Sequence, residues 1–64
     1  MTEKELLYIE DAIKHEESLI MICDDISNKV TEEELVTFFN NEIKKHEKYH
    51  NKLINYMEDK SDEW

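Results

Sequence analysis

The chain has 64 residues, 17 of them acidic and 8 basic, with 39% apolar residues, a net charge of −9 with histidine neutral, one cysteine, and neither glycine nor proline. That length holds one domain at most, whose core alone barely offsets the entropy of folding, and a lone Cys23 excludes an internal disulfide. The missing glycine and proline exclude tight β-hairpin turns, phosphate-cradling loops and nucleophile elbows, while the acid excess opposes nucleic acid and anionic membrane as partners.

What remains is an all-α chain whose extra stabilisation comes from metal or from a second chain. The sequence starts Met1-Thr2-Glu3-Lys4-Glu5, without the basic-then-apolar order of a signal peptide. No apolar run approaches the ~18 residues of a spanning helix. These features predict a cytoplasmic protein with Cys23 reduced.

In chain order, Thr2 and Glu5 form a capping-box pattern that opens a first helix over about residues 3–27. Ser27, Asn28, Lys29 and Val30 have turn character, so a turn is expected at 28–31, with Asn28 as a left-handed cap. Thr31 and Glu34 repeat the box, and Glu32, Glu33 and Glu34 suit the positive end of a helix dipole, predicting a second helix over about 32–58. Residues 59–64 read as a polar tail, with Trp64 placed to cover one end of a bundle. So short a connection predicts an antiparallel hairpin.

At about 100° per residue the first helix gathers Ile9, Ala12, Ile13, Leu19, Ile20, Cys23 and Ile26 on one face, with Glu16 in its middle. The second gathers Leu35, Phe39, Ile43, Leu53, Ile54 and Met57, interrupted by His46, Glu47 and His50. A hairpin pivoting near Lys29 sets Glu16 near Ile43, about one turn from His46 and Glu47. The polar interruptions of both faces therefore meet, and an inward carboxylate needs a partner there. Phe38, Tyr49 and Tyr56 form a second stripe on the second helix, which implies that this helix touches two neighbours.

Glu47-Lys48-Tyr49-His50 is a Glu-x-x-His motif, a spacing that sets a carboxylate and an imidazole on adjacent turns of one helix face. With Glu16 it supplies three candidate metal ligands per hairpin. Two hairpins about a twofold axis would supply four carboxylates and two imidazoles. Glu17 and His46 are the secondary candidates, and His46-x-x-x-His50 is also a helical metal spacing.

Glu16 or Glu17, Phe39, Glu47-x-x-His50 and Leu53 resemble one half of a ferritin-like di-iron protein, of the rubrerythrin and encapsulated-ferritin kind, with spore-coat ferritin-like hairpins as a second relative. The resemblance implies a homodimer forming an antiparallel four-helix bundle. It implies two metal ions per dimer, iron first, manganese or zinc otherwise, and iron oxidation or storage as the chemistry. The alternative is a non-enzymatic helical interaction or coat-type structural module whose polar layer only sets register.

Overall fold

The computed structural model describes residues 1–60. Helix α1 runs Glu3–Lys29 and helix α2 runs Glu33–Lys60, packed against each other as a hairpin. Both described elements are helices, and none is long and apolar enough to cross a membrane.

The first capping box forms as the sequence predicts. Thr2 Oγ1 accepts from the Glu5 backbone N–H at 3.1 Å, and Glu5 Oε1 accepts from the Thr2 N–H at 3.0 Å. Two of the four orphan donors at the helix start are thereby satisfied. The second start is simpler. The Leu35 and Val36 N–H groups both donate to the Glu32 carbonyl at 3.1 Å, and Thr31 makes no side-chain cap among the described hydrogen bonds.

The turn differs from the expected one. Helix α1 continues through Asn28 to Lys29, and no described residue has positive φ. The chain leaves the helix at Val30, which is extended (φ −83°, ψ 149°) and donates its N–H to the Ile26 carbonyl at 3.0 Å. An extended residue lets a glycine-free chain reverse without a left-handed cap. The last turn is supported by Lys29, whose Nζ lies 2.9 Å from Asp25 Oδ2. That pair gives Asp25 a cation at the negative end of the helix.

Half-buried residues recur with alternating steps of three and four. In heptad terms residues 6, 13, 20 and 27 of α1 and 36, 43, 50 and 57 of α2 take position a, while 9, 16, 23, 30 and 39, 46, 53, 60 take position d. This is the seam of an antiparallel two-helix coiled coil. Leu19 and Leu35, expected on the inner face, lie beside the seam and are 40% and 42% exposed. Leu6, Val30 and Val36 occupy seam positions instead.

Antiparallel pairing places the two g shoulders on one side of the seam and the two e shoulders on the other. Surface grooves mark the two sides. Glu5, Tyr8, Ile9, Tyr56 and Lys60 share a groove on the g side, and Glu10, Ile13, Glu17, Ile54 and Met57 share one on the e side. At the open end Lys60 Nζ stands 5.9 Å from the centre of the Tyr56 ring, within cation–π range.

Two helices side by side cannot enclose a core. No described residue is fully buried. The molecule measures 48 × 15 × 10 Å, with a radius of gyration of 14.8 Å, against about 11 Å for a compact chain of this length.

Candidate functional site

The polar interruptions of the two helices do meet, one turn away from the expected register. The helices end at Lys29 and restart at Glu33, which sets Glu16 level with His46 rather than with Ile43. His46 Nδ1 lies 2.6 Å from Glu16 Oε2, the side chains being 16% and 19% exposed. With its proton on Nδ1, His46 donates to the carboxylate. Its other nitrogen, Nε2, faces Glu42 Oε2 at 3.7 Å, and the Lys45 ammonium reaches that same oxygen at 3.8 Å. Tyr49 meets the His46 ring edge-on, with centroids 6.3 Å apart.

One turn along, His50 Nε2 lies 2.9 Å from Glu17 Oε2. The imidazole is mostly covered at 19% exposure and the carboxylate is open at 55%. The two pairs leave the seam on opposite sides. Glu16, His46 and Glu42 take d, d and g positions and open on the g side. Glu17 and His50 take e and a positions and open on the e side.

Each predicted site residue can now be placed. Glu16 and His50 lie in the seam region but bind different partners, His46 and Glu17. Glu47 is exposed and enters none of the described ion pairs or hydrogen bonds. The set Glu16, Glu47 and His50 therefore does not converge within one hairpin. Among the described residues no group of three or more His, Cys, Asp or Glu side chains is arranged to hold a metal ion. Glu42, absent from the predicted set, is 28% exposed beside His46. The signal for it was present: Glu42 precedes His46 by four residues, the spacing of one helical turn. Cys23 is a free, half-buried thiol in the seam, as a small core hydrophobe would be. Trp64 and most of the polar tail lie outside the described residues.

Chemically, both pairs are satisfied as they stand. A carboxylate accepting from an imidazole meets the requirement that a half-buried charge be partnered. No buried side-chain nitrogen or oxygen lacks a partner among the described residues.

Residues 8–62 match, weakly and as a partial match, the family model described as Protein phosphatase 2C. No ferritin-like family is found, which corrects the resemblance drawn from Glu16, Glu47-x-x-His50 and their neighbours. The correction has a physical reason. Glutamate and histidine at three- and four-residue spacings arise on any helix pair that keeps a polar layer in its seam, so the motif specifies a helix face rather than a metal. No curated protein and no solved structure matches the chain.

Proposed function

Taking as premise that the chain belongs to the protein phosphatase 2C family, we propose that its hairpin is a helical interaction module that self-associates into an antiparallel four-helix bundle. Its Glu–His layer sets the register. The observation that carries this reading is a hairpin with no fully buried residue, whose two helices nevertheless present large apolar side chains to solvent. Apolar area left in water is what drives helices to associate, and a twofold dimer is the commonest way of covering it. A polar layer inside such a bundle costs stability and gains register, as a single buried polar residue does in coiled coils.

Sedimentation at micromolar concentration tests this. A dimer or a higher assembly of dimers is expected, and a folded 7.8 kDa monomer at every concentration overturns the reading.

One observation favours a second reading, in which the module also binds metal. Glu17 and His50 touch at 2.9 Å on the e side, and Glu47 lies on that same shoulder of α2, one heptad before Ile54. A second copy meeting this side would bring two such sets of Glu17, Glu47 and His50 together. Four carboxylates would balance two divalent cations such as iron, manganese or zinc. Metal analysis of protein purified without chelator, followed by anaerobic Fe(II) titration, decides it. Binding well below one metal per two chains, unaltered by Glu47→Ala or His50→Ala, rejects this reading and leaves the module intact.

A further inference from the structure

The exposed large hydrophobics are unevenly distributed about the hairpin. Helix α1 contributes Tyr8, Leu19 and Ile22, and α2 contributes Leu35, Phe38, Tyr49 and Tyr56. All of these fall at heptad positions g or c, on the side where Tyr8 and Tyr56 share a groove. Leu7 and Met21, the remaining exposed ones among the described residues, lie at position b, toward the other side.

Charge follows the same division. On the apolar side Glu5, Glu42 and Asp59 are balanced by Lys29, Lys45 and Lys52, three against three. The opposite e and b positions hold Glu3, Glu10, Glu17, Asp24, Glu33, Glu47 and Glu58 against only Lys14 and Lys44. Two copies of a chain carrying −9 repel at most approaches. The apolar side is the approach on which local charge adds least to that repulsion.

Area gives a third argument. The chain exposes 5086 Å², whereas a compact monomer of 7.8 kDa exposes about 4,400 Å². The excess, about 700 Å², is close to the ~800 Å² that each partner buries in a standard interface. The Glu16–His46 pair, finally, stands midway along both helices, Glu3–Lys29 and Glu33–Lys60.

We infer that the side formed by Tyr8, Leu19, Ile22, Phe38, Tyr49 and Tyr56 is covered by a second copy of the chain, related by a twofold axis that crosses at the level of Glu16 and His46. This rests on the self-association proposed above and adds which face is used and how it is aligned. A twofold axis at mid-length lays the Tyr8 and Tyr56 end of one copy against the Ile22, Leu35 and Phe38 end of the other, so each end finds an apolar complement. It also brings the two Glu16–His46–Glu42 clusters together at the centre, where any shift of register would face them with apolar residues instead.

All three tyrosines of the chain lie on this face, so the unaltered protein reports on it. Tetranitromethane nitration, read by mass spectrometry above and below the dissociation midpoint, should show Tyr8, Tyr49 and Tyr56 protected several-fold in the dimer. In parallel, Leu19→Lys/Phe38→Lys should give a monomer, while Leu7→Lys/Met21→Lys on the other side should remain dimeric. Both doubles lower the net negative charge, so added repulsion does not account for a loss of association. A dimer whose tyrosines nitrate as fast as the monomer's, or that survives the Leu19/Phe38 double, overturns this face while leaving self-association standing. A monomer at all concentrations, its tyrosines freely nitrated, overturns both and points to a partner other than a second copy.

Discussion

His46 Nδ1 and Glu16 Oε2 stand 2.6 Å apart across the seam, midway along both helices and with both side chains at least four-fifths covered. The pair is a polar layer in a mostly apolar coiled-coil seam, and its energetics depend on how it is removed. Glu16→Ala or His46→Ala alone leaves the other group half-buried without its partner, at a cost of about 1–3 kcal/mol. The Glu16→Leu/His46→Leu double removes both polar groups and should be as stable as the parent or more so. Urea melts at fixed protein concentration give the comparison. A double less stable than the parent would mean that the layer contributes net stability rather than register.

The neighbouring pair should behave differently. Glu17 is 55% exposed opposite His50, so water solvates the carboxylate nearly as well as the imidazole does. Glu17→Ala is expected to change unfolding free energy by no more than about 0.5 kcal/mol. A loss as large as that of Glu16→Ala would show that this side, too, is covered in the assembly.

Much of the fold is legible in the chain, and the parts that are not depend on geometry that accumulates over many residues. Thr2 and Glu5 marked the first helix start because a capping box is local, needing only residues three apart. The level of Glu16 was misplaced by about a turn because it depends on where the chain reverses, and Val30 reverses it in an extended conformation that no glycine or asparagine announces. A wheel of 100° per residue places Leu19 and Leu35 in the core because it drifts against a 3.5-residue seam over several heptads. That drift also hid the apolar side: Phe38, Tyr49 and Tyr56 were visible as a stripe, but its continuation through Tyr8, Leu19 and Ile22 was not. Glu47 was drawn inward by its motif, yet the e position leaves it in solvent.

The extension of α1 through Asn28 makes a prediction of opposite sign to the one a left-handed cap would make. In a helical, exposed position Asn28→Gly should destabilise and Asn28→Ala should stabilise, by about 1 kcal/mol between the two variants. Were Asn28 a left-handed cap, glycine would be the better residue. Thermal melts of the two variants separate the cases by sign alone.

The N-terminal box carries a pH dependence. The Thr2 backbone N–H, followed by the Thr2 side chain, holds the Glu5 carboxyl below its usual pKa. A group whose pKa is depressed by folding contributes stability above its unfolded pKa and loses it as pH falls through the folded value. The first turn of α1 should therefore fray in acid, below the ordinary glutamate range, and Thr2→Ala should raise the Glu5 midpoint toward that range. Thr2→Ala should also cost about 0.5–2 kcal/mol at neutral pH as the loss of a helix cap. Amide exchange of residues 3–6 against pH provides the measurement. Equal exchange in both proteins at every pH would show that the box does not hold the helix start.

Association should strengthen with salt, an inference that follows from the division of charge about the hairpin. The proposed contact side carries three acidic and three basic groups and so no net charge, which leaves the charge of the whole chain as the dominant long-range term. What salt screens is the long-range repulsion between two chains of −9 each, effective beyond a Debye length of ~10 Å at 0.1 M. Sodium chloride added from low to moderate concentration should therefore lower the dimer dissociation constant several-fold, as read by sedimentation equilibrium. An interface built instead on the Lys45, Lys52 and Lys29 charges meeting the acidic e side would weaken over the same range. The sign of the salt dependence thus distinguishes a face-to-face dimer from a head-to-side one.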